Sequence, residues 1–298
     1  MPAARFRWCH LRKTLPLRTA VIGDEISQDI FEVVRLVKEH NFAGVEVRSA
    51  FNKSPLDLNK ADCVLLADVL GAAALFVAGF ASPSLKVALP RSSRQRAEAR
   101  ATLELSITRA EWLAAPVVRI FSFLRSGEPN PIAAADAVGN ILNQIGQCPV
   151  ELVVETGTRT NTPSAATMRT FLQQLDNPAI HVLWDPGNGI FSGHDLSPYP
   201  TAYETLKECI GHVHVKDPIG NQHYTQLGNG DVPWAEIFKR LIRDDFAGYV
   251  SLETHWRMDR VLTHKERDDP YGLTFSDGGY QASKRCMTNL VNMIQSPP

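Results

Sequence analysis

Four β-rich runs of this sequence end in, or contain near their ends, a residue able to bind a cation. Glu155 closes VELVVE, Asp185 closes HVLWD, His214 lies in HVHVKD, and Glu253 closes VSLE. Three carboxylates and one imidazole make an oxygen-rich donor set that suits Mn²⁺, Mg²⁺, Co²⁺ or Zn²⁺, with Mn²⁺ the first expectation. The set contains no thiolate, which separates it from a closed structural zinc site. Any one of these acids alone is explained by a helix N-cap or a loop ion pair. Four such groups brought together out of water would repel one another or be forced to protonate unless a cation joined them. His212 and His214 are two apart and share one face of a strand. His214, nearer the strand end, is the expected ligand, and His212 is a satisfied core histidine or a donor behind it.

Other polar residues fall near strand ends. Arg48, Lys86 and, in a following loop, Arg125 suit substrate hydroxyls, a carboxylate or a phosphate; surface salt bridges explain them equally well. Glu46 and Arg48 also share a face, and the simplest expectation is that they pair with each other. Trp184 precedes Asp185, points to the opposite face and reads as core.

The elements that must position these groups alternate. Strands are expected at Thr19–Ile22, Gly44–Val47, Ala73–Ala78, Val117–Phe121, Val150–Val154, Ile180–Trp184, His212–Val215 and Tyr249–Leu252. Helical stretches fall between and after them, at about 29–40, 59–70, 94–113, 132–145, 164–175, 202–208, 234–242 and 280–294. In the first, Ile30, Val33, Val34 and Val37 recur at helical spacing and read as contacts to the sheet. Near-continuous apolar strands alternating with helices indicate a parallel sheet covered on both faces. Eight of them indicate a closed (β/α)₈ TIM barrel, in which residues from different strand ends converge on one mouth. Ala73–Ala78 is the weakest strand, because it is rich in alanine. No G-x-G-x-x-G follows the first strand, which counts against a dinucleotide site. The long irregular stretch Thr254–Gly279 follows the last strand, where a lid would sit; His255, Trp256 and His264 are its candidate substrate residues.

The 298 residues suit one such barrel, read as a single domain over residues 19–298. Met1–Arg18 has five basic residues and no acid, and reads as a poorly ordered tail rather than a secretory signal. A formal net charge of −1 gives no global field for nucleic acid. No apolar run reaches the roughly 18 residues that a membrane span needs. The five cysteines, Cys9, Cys63, Cys148, Cys209 and Cys286, are odd in number and scattered, as expected of reduced thiols in a cytoplasmic protein.

Several segments in order and spacing resemble the sugar phosphate isomerase/epimerase family, whose members adopt a xylose isomerase-like barrel. They are GDEISQD (Gly23–Asp29), GVEVR (Gly44–Arg48), SPSLKV (Ser82–Val87), VVRIFSF (Val117–Phe123), WDPGN (Trp184–Asn188), HVHVKD (His212–Asp217), LGNGDVPW (Leu227–Trp234) and SLETH (Ser251–His255). The resemblance implies one divalent metal on Glu155, Asp185, His214 and Glu253, the same four residues. In ketose 3-epimerases of this group the two glutamates are also acid and base. By resemblance, Glu155 and Glu253 would remove and return a proton next to a carbonyl while the metal stabilises the enediolate charge. Two positions depart from that pattern. Asn188 stands where such epimerases usually have a histidine, and Lys216 or His223 stands near where they have an arginine. Together with Arg48, Lys86 and His255, these are the expected substrate contacts.

The leading expectation is therefore a metal-dependent isomerase or epimerase of a sugar or polyol in carbohydrate metabolism, with a homo-oligomer admitted by the resemblance. A dehydratase of inosose or dehydroshikimate type starts with the same proton abstraction and is the alternative. An endonuclease IV-like repair enzyme is less expected, since histidines for a three-zinc cluster are missing after strands three and four and at Asn188. A barrel that binds without turnover is the non-enzymatic alternative.

Overall fold

The computed structural model describes residues 15–295. Most of the basic tail lies outside the described residues. At its end, Leu15 and Leu17 are buried in the core, and the first strand already begins at Arg18.

Eight parallel strands close into a barrel: β1 (Arg18–Ile22), β2 (Gly44–Val47), β3 (Phe76–Phe80), β4 (Val117–Ile120), β5 (Glu151–Glu155), β6 (Ile180–Trp184), β7 (Ile210–Val215) and β10 (Tyr249–Leu252). Each strand pairs with its neighbours in the chain-order circuit, and β1 closes the ring on β10 through Arg18↔Tyr249 to Val21↔Leu252. Between β7 and β10 the chain adds an antiparallel hairpin that the sequence reading did not anticipate, β8 (Asp217–Ile219) with β9 (His223–Thr225). Asp217 fastens its far side by accepting from the backbone N–H groups of Gly228, Gly230 and Val232.

Strand alternation divides the side chains into two sets. Val21, Val45, Val47, Val118, Ile120, Leu152, Val154, Val182, Trp184, Val213, Val215, Val250 and Leu252 belong to the large apolar layer between barrel and helices. The residues between them face the barrel interior. There Ala20, Ala78 and Tyr249 form a small separate cluster, and above it the interior is polar.

The third strand begins later than the expected Ala73–Ala78. The preceding helix runs on through Lys60–Ala72, because alanine favours helix, and the chain turns at Ala74 with φ of 58° before β3 starts at Phe76. The β2–β3 register then shifts between Val45 and Glu46, so that Glu46 lies opposite Gly79. A Cβ at Gly79 would sit 2.8 Å from Val117 Cγ2, so glycine lets β3 and β4 approach closely at this level.

The stretch expected as one irregular segment, Thr254–Gly279, contains two single-turn helices, His264–Asp268 and Gly272–Ser276. It bridges loops from several sides of the mouth. Leu273 N–H donates to Asn52 after β2 (3.0 Å), and Asp268 receives Lys86 after β3 and Arg159 after β5. Arg267 lies over the ring of Phe191 after β6. Cys63, Cys148, Cys209 and Cys286 are all free thiols, and Cys9 lies outside the described residues. Among the described residues no helix is long and apolar enough to cross a membrane.

Candidate metal centre

The last residue of β5, the penultimate residue of β7 and the residues following β6 and β10 bring Glu155, His214, Asp185 and Glu253 together. All four are buried, and one donor atom from each lies within 4.8 Å of the others. Neighbours hold the remaining atoms of all four, and on Glu253 the atom that faces the shared centre is itself bonded by Lys216 Nζ.

Asp185 caps the helix Pro186–Ser192: its Oδ1 accepts the Asn188 N–H at 2.9 Å. The capping role expected of a lone strand-end acid is thus present, yet it occupies only one oxygen. Glu155 Oε1 accepts from Asn188 Nδ2 at 2.7 Å. His214 Nε2 lies 3.1 Å from both oxygens of Glu46, which turns Nδ1 toward Glu253 Oε2 at 3.5 Å. Glu253 Oε1 accepts from Arg48 at 2.7 Å.

The atoms left over are the informative ones. Glu155 Oε2, Asp185 Oδ2 and His214 Nδ1 are buried without a hydrogen bond. Arg119 stands 3.2 Å from the first and Lys216 2.8 Å from the second, at ion-pair distance but outside hydrogen-bond geometry. Buried acceptors are otherwise almost always satisfied. Three unsatisfied atoms on residues whose ligand atoms cluster within 4.8 Å, with a carboxylate behind the histidine, match a cation site and its supporting shell. Asp185 is pushed up to about 6 by burial and by the proximity of Glu155 and Glu253, against the pull of Lys216. Burial opposes charge on His214 too, but Glu46 and Glu253 outweigh it and hold the imidazole pKa up at about 10, so a cation that binds Nδ1 must displace its proton. Burial would raise the Glu253 pKa, but Lys216 and its histidine neighbours outweigh it and hold the carboxylate well below its usual range. The donor set and the free atoms therefore fit one divalent cation.

The other expected residues separate. Lys216 lies inside the centre. Asn188 touches Glu155 and, at 3.5 Å, the hydroxyl of Tyr224. Arg48 does not pair with Glu46: its guanidinium is consumed by Asp24 (2.8 Å), Glu25 (2.9 Å) and Glu253. The face-sharing expectation fails because Glu46 reaches across the barrel to β7 instead, accepting also from His212 at 2.9 Å. His255 Nδ1 bonds Glu25 at 2.7 Å and stands 3.6 Å from Glu253. Lys86 Nζ donates to the backbone of Asp268 in the covering segment. Arg125 donates to the Thr158 carbonyl and braces a loop. On β9 it is Tyr224 rather than His223 that reaches the site, since adjacent strand residues face opposite ways. Trp184 is core, its ring 5.5 Å from that of Tyr203. Trp256 packs partly buried against the core, and His264 pairs with Arg267 in the covering segment.

Arg119 was not anticipated. It lies in the middle of β4, hydrogen-bonds the carbonyls of Ala81 and Ser82, and places its remaining nitrogen beside Glu155. An arginine within the otherwise apolar run VVRI was the available signal. Each glutamate of the centre thus has one buried arginine behind it, Arg119 for Glu155 and Arg48 for Glu253.

Fold and site together define a TIM barrel with a carboxylate-rich, single-histidine centre at the C-terminal mouth. A sequence model of the xylose isomerase-like TIM barrel matches residues 34–274, and the chain belongs to that family. No curated protein matches it by sequence. Among solved structures, an L-ribulose 3-epimerase superposes with a TM-score of 0.71 at 17% identity, covering 94% of this chain and 95% of its own. D-psicose 3-epimerase from Clostridium cellulolyticum gives 0.70 at 14%, covering 94% and 100%. The probable 3-DHS dehydratase AsbF from Bacillus anthracis gives 0.68 at 15%, covering 95% and 100%. At these identities the likeness establishes the barrel.

Proposed function

We propose that the protein is a divalent-metal-dependent isomerase or epimerase of a sugar or sugar-like polyol. The observation that carries this reading is the convergence of Glu155 and Glu253, from strands separated by β6 and β7, on one buried centre with Asp185 and His214. Sugar epimerases among the structural neighbours support it.

A divalent cation held by these four residues, with Mn²⁺ the first to test, would polarise a substrate carbonyl and favour negative charge on its oxygen. The chain supplies the rest. One glutamate takes the proton from the carbon beside the carbonyl, and the other returns a proton to the opposite face. Arg119 and Arg48 fix the two carboxylates in place. Besides these arginines, Lys216, His255 and Asn188 stand near them. The covering segment, held by Lys86, Arg159 and Asn52, keeps water from the exposed carbanion.

The test is incubation of Mn²⁺-loaded protein with a panel of ketoses and cyclitol ketones in D₂O, followed by NMR. An epimer carrying deuterium at the inverted carbon, absent with Glu155→Gln and Glu253→Gln, is the expected result. An unsaturated product formed by loss of water would replace this reading with the dehydratase. Neither exchange nor product across the panel would contradict both.

A further inference from the structure

Lys216 lies within the centre itself. Its Nζ stands 2.8 Å from Asp185 Oδ2 and 2.5 Å from Glu253 Oε2, and the residue is 4% exposed. These are the oxygens a cation would need, since Asp185 Oδ1 is committed to the Asn188 N–H and Glu253 Oε1 to Arg48. We propose that Lys216 is the resident cation of the metal-free centre and is displaced from both carboxylates when a divalent ion binds. The proposal rests on the metal-dependent reading above and adds the residue with which the metal competes.

The physical reason is electrostatic and steric. A divalent ion sits about 2.0–2.2 Å from carboxylate oxygens. An ammonium at hydrogen-bond distance from the same two oxygens would face it inside a site with little water to screen the repulsion. Asp185 and Glu253 are anchored from behind, so the group that yields is the long lysine side chain. Gly187 has no side chain where a Cβ would lie 3.0 Å from Lys216 Cγ. Tyr224 offers its ring 5.6 Å from Nζ, and its hydroxyl is 3.5 Å from Asn188 Oδ1. An ammonium moved to that side leaves the carboxylates and faces the mouth, where it donates to substrate oxygens. Lys216 thereby counter-charges the empty centre and becomes a substrate donor in the loaded one.

Two measurements test this. The first compares Co²⁺ affinity by isothermal titration calorimetry, and melting temperature in EDTA, for the wild type, Lys216→Met and Lys216→Arg. Lys216→Met is expected to bind Co²⁺ about tenfold tighter or more, having lost the competing charge, and to melt lower than wild type in EDTA but not in Co²⁺. Lys216→Arg, which keeps the charge, should not gain affinity. Equal or weaker binding by Lys216→Met overturns the proposal. The second needs no variant: in crystals of the Co²⁺-loaded wild type, Nζ is expected beyond about 4 Å, the limit of an ion pair, from both carboxylate oxygens. Cobalt bound with Nζ still on both oxygens sinks the proposal and leaves the metal site intact. No cobalt bound by the wild type sinks the metal site and the proposal together.

Discussion

Glu46 stands behind His214, its carboxylate 3.1 Å from Nε2, and thereby decides which ring nitrogen faces the acids of the centre. The same carboxylate accepts from His212, and burial notwithstanding, the two histidines hold it well below its usual pKa. Carboxylate–histidine pairs of this kind fix tautomer and ring orientation in metal sites. Glu46→Gln is therefore expected to weaken Mn²⁺ or Co²⁺ binding about 10–100-fold, as read by calorimetric titration, while the barrel remains folded. Unchanged affinity would remove Glu46 from the site.

Arg48 joins Asp24, Glu25 and Glu253, all buried, with its own side chain 2% exposed. Burial works against its charge, but the three acids hold its pKa above the ordinary value. Arg48→Met would leave those carboxylates without their common partner. A loss of about 3–5 kcal/mol is expected from removing one member of a buried ionic network, measured by urea unfolding followed by tryptophan fluorescence. A loss below about 1 kcal/mol, the range of a surface pair, would show that Arg48 is replaceable and closer to a substrate contact.

Lys86 makes the pH prediction. Burial, with Arg119 adding repulsion, pushes its pKa from 10.5 down to about 8. Below pH 8 the ammonium is charged in both the folded and unfolded chains, and burying it costs the fold up to about 3 kcal/mol. As pH rises from 8 to 10.5 the folded protein gives up that proton while the unfolded chain still holds it, so the cost disappears. The stability of wild type relative to Lys86→Met, which also lacks the hydrogen bond to the Asp268 carbonyl, should accordingly rise across that window. Melting curves at half-unit pH steps check this; a difference constant from pH 7 to 10.5 would contradict it.

The positions legible in the sequence were those governed by local rules. Strand ends in a (β/α)₈ barrel share one mouth, so Glu155, Asp185, His214 and Glu253 could be grouped without knowing any long-range contact. Period-two alternation likewise separated His214 from its apolar neighbours and put Trp184 in the core. What could not be read was who meets whom across the interior. Glu46 and His214 lie on β2 and β7, which are not neighbours in the sheet, and are 168 residues apart in sequence. Local spacing instead suggested Glu46 with Arg48. The same holds for Arg48, whose partners come from the ends of β1 and β10. The β8–β9 hairpin was hidden because its strands are three residues each, too short for a periodic signal. The alanines before β3 misplaced that strand, since their helix preference opposed the strand reading.

The central claim is that Glu155, Asp185, His214 and Glu253 hold one divalent cation. The direct measurement is metal content by inductively coupled plasma mass spectrometry, on the wild type and on Glu155→Gln and His214→Ala, each dialysed against Mn²⁺ and then metal-free buffer. About one ion per chain in the wild type, with most of it lost in both variants, is the expected result. A wild type that retains no ion, or variants that retain as much as it does, would contradict the claim and leave a barrel whose buried acids answer only to Lys216 and the two arginines.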